Sequence, residues 1–131
     1  MDWYALIDAG PLTAFYNSGD PYHQQVWNFF QDCELDLITT EGCIAETMHH
    51  IGKQRGQSYQ VQAQLSKDIF DGIWKIEPLI EEDFSTIAEL FQKYSNVPAD
   101  FADLSLVTIS TRLNISQIVT LDSDFVIYRR L

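Results

Sequence analysis

Two short apolar runs near opposite ends of the chain, WYALI at 3–7 and QIVTL at 117–121, each lead directly into an aspartate, Asp8 and Asp122. A strand that is apolar at consecutive positions buries both of its faces, which is the habit of parallel sheets covered by helices. A carboxylate at the end of such a strand is costly to desolvate unless a cation or several donors compensate it. Parallel strands need crossovers of a dozen residues or more, and the segments between the two runs are of the right kind. Gly10-Pro11 opens a short helix through Phe15-Tyr16, since proline is tolerated in a first turn. Asp20-Pro21 reads as the N-cap and first residue of a helix over 21–32, with Val26, Phe29 and Phe30 as its apolar stripe. LDLIT at 35–39 is the next strand, and Thr40 caps a helix whose Ile44, Met48 and Ile51 share a face and whose Gly52 is a stop.

The polar, glutamine-rich segment 54–71 keeps Tyr59, Val61, Leu65, Ile69 and Phe70 and is expected to be a helix with a narrow apolar face. IWKIE at 73–77 is a strand stopped by Pro78; a helix over 81–96 has acids in its first turn and Lys93 in its last, as the helix dipole favours. DFADLSLVTISTRL at 100–113 is the last helix before the final strand. The alternation predicts an α/β fold, a parallel sheet with right-handed crossovers and helices on both faces. In such folds, sites gather at the carboxyl ends of the strands. The 131 residues suit one domain over 1–131. No stretch approaches the roughly 20 apolar residues that span a bilayer, and the N-terminal MDWYALID lacks a basic region ahead of a long apolar run, so neither membrane insertion nor export is expected.

Nineteen acids against eight bases give a net charge of -11, which excludes a broad basic face for duplex nucleic acid. Neutralising four carboxylates with metal would still leave an acidic surface, so any nucleic-acid contact must be small and metal-assisted, and a basic protein partner suits the rest. Cys33 and Cys43 have no CxxC spacing and are too few for a disulfide framework. His49-His50 are adjacent on a helix and point in different directions, and with His23 they lack the HExxH spacing of a zinc site.

The helices beginning near Thr40 and Asp100 start at the edge where Asp8 and Asp122 end their strands, so Glu46 and Asp103 can join them. Singly, each acid has a plainer account: Glu46 as an exposed helix residue, Asp100 as an N-cap with Asp103 at the third helical position, Asp122 and Asp124 as turn formers. Together they would repel one another unless a cation is present, and an oxygen-only site favours Mg²⁺ or Mn²⁺ over zinc.

The chain resembles the PIN-domain ribonucleases, which include the VapC-type toxins of toxin-antitoxin pairs, over nearly its whole length. LIDAGPL matches the opening strand-Asp-helix pattern, ITTEGCIAE the helix-borne Glu, DFADLSLV the acid at a helix start, and TLDSDF the Thr-x-Asp near an aromatic. The resemblance implies a three-layer α/β/α fold around a parallel sheet of four to five strands. It implies a metal site of Asp8, Glu46, Asp103 and Asp122 for Mg²⁺ or Mn²⁺, with Asp100 and Asp124 as auxiliaries. The activity implied is metal-assisted endonucleolytic hydrolysis of RNA in the cytoplasm, by a homodimer held in check by a cognate antitoxin. Aromatics such as Tyr16, Trp27 and Phe30 would contribute to protein contacts. Ala9 departs from the hydroxyl residue common after the first Asp, and the DSD spacing leaves Asp122 and Asp124 both open as the nearer ligand. Lys53 and Arg55, beyond the Glu46 helix, either hold substrate phosphates or are a solvated helix end. Rival readings are a non-catalytic adaptor on the same fold and a stand-alone RNA-processing nuclease. A HAD-type phosphatase would need an acid where Gly10 stands.

Overall fold

The structure is a computed structural model that describes residues 3–54, 56 and 58–121. Among the described residues four parallel strands, β1 (Tyr4–Ile7), β2 (Asp36–Thr39), β3 (Lys75–Ile76) and β4 (Ile118–Val119), form one sheet in the order β3-β2-β1-β4. Six helices connect them: α1 (Ala9–Tyr16), α2 (His23–Gln31), α3 (Glu41–Gly52), α4 (Ser58–Phe70), α5 (Glu81–Lys93) and α6 (Phe101–Leu113). The first strand lies inside the sheet, pairing Leu6 with Ile38 on one side and with Ile118 on the other. Its end is therefore flanked by strands on both sides, and Asp8 emerges there.

Alternation along the strands divides the core in two. Leu6 and Ile38 face Leu104, Leu106 and Ile109 of α6 and Ile87 of α5. Ala5, Ile7 and Leu37 face Leu12 of α1, Ile51 of α3, Leu65 of α4 and Trp74. The result is the expected α/β/α layering, with each sheet face removed from water. On the second face, the Trp74 indole N–H donates to the Tyr16 hydroxyl at 2.7 Å, that hydroxyl donates to Asp68 Oδ2, and the Gln64 amide donates to Asp68 Oδ1 at 2.8 Å. Burial and the adjacent Asp68 push the Tyr16 pKa upward, which keeps it a donor. Among the described residues no helix is long and apolar enough to cross a membrane.

Three local expectations are corrected. The second helix begins at His23, not Pro21; Asp20 instead accepts the Tyr22 N–H on Oδ1 at 2.8 Å and the His23 N–H on its carbonyl at 3.0 Å, forming a turn ahead of the helix. The runs IWKIE and QIVTL shrink to two-residue strands. Lys75 and Ile76 pair only with Ile38 and Thr39, and Pro78 follows one residue after the strand ends. Ile118 and Val119 pair only with Leu6 and Ile7, because the chain turns into α1 after Asp8. Asp122, Asp124 and Arg55 lie outside the described residues.

Candidate active site

Asp8 ends β1 and is the N-cap of α1, in extended conformation. Only 6% exposed, its carboxylate is held from two directions: the Ala9 N–H donates to Oδ1 at 2.7 Å and the Thr120 hydroxyl donates to Oδ2 at 3.0 Å. These bonds answer part of the desolvation cost of a strand-end carboxylate and fix its orientation. Thr120 stands directly after β4, the strand that neighbours β1, so the sheet register delivers the hydroxyl to Asp8. Thr39, at the end of β2, donates to the Ile7 carbonyl at 2.8 Å and ties the third strand end to the same edge.

Thr40 begins α3 by accepting the Cys43 N–H on its hydroxyl at 3.2 Å, as its position predicts. Glu46 lies about one and a half turns further on and is half-buried. Its pKa is pushed up to about 8, first by burial, then by a hydrogen bond and the charge of Asp100, then by the charges of Asp8 and Asp103. Asp100 and Asp103 are joined in a capping box at the start of α6: the Asp103 N–H donates to Asp100 Oδ1 at 2.9 Å, and the Asp100 N–H to Asp103 Oδ2 at 3.2 Å. Burial, offset in part by the backbone bond at Asp100, and the charges of Asp100 and Asp8 bring the Asp103 pKa up to about 7. The Cys43 thiol beneath them is buried and pushed up to about 12, chiefly by desolvation, so it is neutral packing and not a nucleophile.

Three acids that are 95 positions apart at the extremes thus feel one another's charge at one edge of the sheet. Asp100 belongs with them. Lys53 does not: it is the exposed C-cap of α3, at the far end of that helix from Thr40. His49 and His50 sit in the last turn of α3, and the His23 ring contacts the Ala14 carbonyl at 2.7 Å. Sequence reasoning missed Thr120 as a partner of Asp8; its place two residues before Asp122 on the last strand was the available signal.

A model of the PIN domain matches residues 5–131. The chain belongs to the PIN-domain family. As a PIN domain it also superposes on a crystal structure of Mycobacterium tuberculosis VapC20, described as a sarcin-ricin loop cleaving toxin. The TM-score is 0.85 at 13% identity, with 94% of this chain and 93% of that one covered. At that identity the match speaks for the fold. No curated protein matches the sequence.

The donor set fits a hard divalent cation: the acids offer only carboxylate oxygens, and their mutual repulsion is what a cation would relieve. Among the described residues, no three of His, Cys, Asp and Glu are already arranged as a metal cage. The cation would have to draw Asp8, Glu46 and Asp103 together.

Proposed function

We propose that this PIN domain is a metal-dependent endoribonuclease, the toxin of a toxin-antitoxin pair. The single observation that carries the reading is the gathering of Asp8, Glu46, Asp100 and Asp103 at one sheet edge, where burial first, and then their mutual charge, push the Asp103 and Glu46 carboxyls up to about 7 and about 8. A structural role would not need such a concentration of acid. In this reading Asp8, Glu46 and Asp103, with Asp122, hold Mg²⁺ or Mn²⁺, and Asp100 and Asp124 assist. The bound cation would lower the pKa of an attacking water and offset charge on the phosphoryl oxygens. The chain's own residues set the stage. Thr120 and the Ala9 N–H keep the Asp8 carboxylate in one orientation, and the capping box keeps Asp103 against Asp100. Glu46 and Asp103 must release the protons that burial and repulsion favour before they can ligate, so assembly of the site is linked to pH.

RNA as substrate is favoured by the family and by what VapC20 is described as cleaving. The acidity of the surface, -11 overall, favours a basic antitoxin over extended contact with a polyanion. Trp27 is exposed on one side while its ring stacks on Phe15, and Tyr16 and Phe30 are half-buried, so of these three Trp27 has the most surface left to meet such a partner. We place the protein in the cytoplasm as a homodimer, with Lys53 and Arg55 as phosphate contacts.

The test is expression of wild type beside Asp103→Asn, with growth and RNA integrity followed together. Growth arrest and RNA cleavage confined to wild type are expected. Equal growth and intact RNA in both would leave a non-catalytic adaptor as the better account. Cleavage without an inhibitory product of the neighbouring reading frame would indicate a stand-alone processing nuclease. Calorimetric titration with Mn²⁺ should show binding that Asp8→Asn weakens.

A further inference from the structure

The peptide unit that joins Ile7 to Asp8 closes β1 and is the point from which the Asp8 side chain leaves the sheet. Its carbonyl and its N–H lie in one rigid plane and point in opposite directions. Each is taken by a different neighbouring strand end. The Asp8 N–H donates to the Val119 carbonyl of β4 at 3.0 Å, and the Ile7 carbonyl accepts the Thr39 hydroxyl of β2 at 2.8 Å. The register between β1 and β2 runs from Tyr4 and Asp36 to Leu6 and Ile38. At Ile7 the tie between these strands therefore passes to a side chain, and Thr40 already serves as the N-cap of α3. Thr39 suits this place. It is fully buried, so water does not compete for its hydroxyl, and as a β-branched residue it is stiff at χ1. Its backbone is held as well, since the Thr39 carbonyl accepts the Glu77 N–H at 3.0 Å.

We infer that Thr39 is a positioning residue for Asp8: its hydroxyl sets the tilt of the Ile7–Asp8 peptide plane and so aims the Asp8 carboxylate toward Glu46 and Asp103. The bonds from the Ala9 N–H and the Thr120 hydroxyl orient the carboxylate itself, but the place from which it starts belongs to the peptide plane. A valine at position 39 would keep the shape and remove the donor. The Ile7 carbonyl would then lose a buried hydrogen bond, and the plane could tilt while the strand stayed in the sheet. This inference rests on the metal site proposed above, because the aim of a carboxylate matters to the ligand that it must meet.

The experiment compares Thr39→Val, Thr39→Ser and Thr108→Val with wild type. Thr108 is also buried, and its hydroxyl donates to the Leu104 carbonyl at 2.8 Å within α6, so Thr108→Val removes a hydroxyl of the same kind away from the Asp8 peptide. Two quantities are read: Mn²⁺ affinity by calorimetry, and hydrogen exchange of the Ala9 N–H in chelator. The Ala9 rate is taken relative to that of Leu65 in α4, which cancels a general loss of stability. Thr39→Val is expected to weaken Mn²⁺ binding about tenfold, as loss of a ligand's supporting partner does, and to speed Ala9 exchange. Thr39→Ser, which keeps the hydroxyl, and Thr108→Val should match wild type in both quantities. Wild-type behaviour of Thr39→Val in either quantity overturns the inference, whatever its melting temperature. A Thr39→Ser as impaired as Thr39→Val overturns it too, because lost packing then explains the effect. A wild type that binds no Mn²⁺ defeats the metal reading, while Ala9 exchange in chelator still decides whether Thr39 holds Asp8. If Thr39→Val does not fold, Thr39→Cys, a weaker donor of similar size, takes its place and must shift both quantities in the same direction.

Discussion

The chain places an aspartate at the third position of a helix twice, Asp83 in α5 and Asp103 in α6, and each carboxylate accepts the N–H of its helix's N-cap, at 2.9 Å and 3.2 Å. Locally the two are the same device. Their surroundings differ. Asp83 is met by the Arg112 guanidinium at 3.1 Å, which also pairs with Glu77 at 3.2 Å and donates to the Pro78 carbonyl at 3.0 Å. The same contacts raise the Arg112 pKa further, the Asp83 hydrogen bond foremost. Asp103 is met by Asp100, Asp8 and Glu46, and among the described residues no cation pairs with it as Arg112 pairs with Asp83. One acid is neutralised and holds α5 to α6; the other stands among acids. A carboxylate's role is decided by the charge brought to it, not by the motif in which it stands.

The largest expected effect breaks the symmetry between the two helix starts. Asp103→Asn should lower RNA cleavage by on the order of 10²-fold or more, while Asp83→Asn stays within about threefold if the protein remains folded. Single-turnover cleavage of one RNA by both variants measures this. Comparable losses in the two would mean that Asp103 is no more catalytic than its counterpart.

Stability should respond in the opposite order. Asp83→Ala removes the cap to Ile80 and leaves Arg112 short of a partner, so urea unfolding is expected to show a loss of about 1–3 kcal/mol. Asp103→Asn in the metal-free protein relieves repulsion and should be neutral or stabilising by about 1 kcal/mol at most, since the group is partly exposed. A larger loss in Asp103→Asn than in Asp83→Ala would contradict the contrast.

A pH series sharpens the same comparison. Glu46 and Asp103 have folded pKa values of about 8 and 7 against ordinary values of 4.5 and 3.8, so the folded state binds protons that the unfolded state has already released. Their contribution is fully present below about pH 4 and is lost as pH rises through 7 to 8. Melts in chelator should therefore show the metal-free protein losing stability between pH 5 and 8 from this pair, and Glu46→Gln should flatten the slope. Saturating Mn²⁺ should oppose the loss, increasingly so at higher pH, because the deprotonated acids are the ligands. A chelated protein that gains stability over this range in wild type and Glu46→Gln alike would show that the acids do not repel as described.

The smallest effect is at the rim of the neutralised cluster. Glu77→Gln removes only the partly exposed partner of Arg112 and should cost about 0.5 kcal/mol, less in high salt.

Much of this was legible without coordinates because it depends on short spacings. The Thr40 cap, the Asp100–Asp103 box and the apolar runs of β1 and β2 are set by neighbours a few residues away, and the strand-helix alternation dictates a parallel sheet with its acids at the carboxyl edge. The turn at Asp20 was misread by two residues because a side-chain acceptor before a proline serves a turn as well as a helix start. The lengths of β3 and β4 could not be read, since a strand ends where its partner does and the partners lie far away in sequence. Tertiary structure alone brought Thr120 to Asp8 and Arg112 to Asp83, across 112 and 29 positions. Local sequence determined which carboxylates stand at helix starts and strand ends; only the packing of α5 against α6, and of β4 beside β1, decided which of them would be neutralised, because charge acts through space on whatever the fold places within a few ångströms.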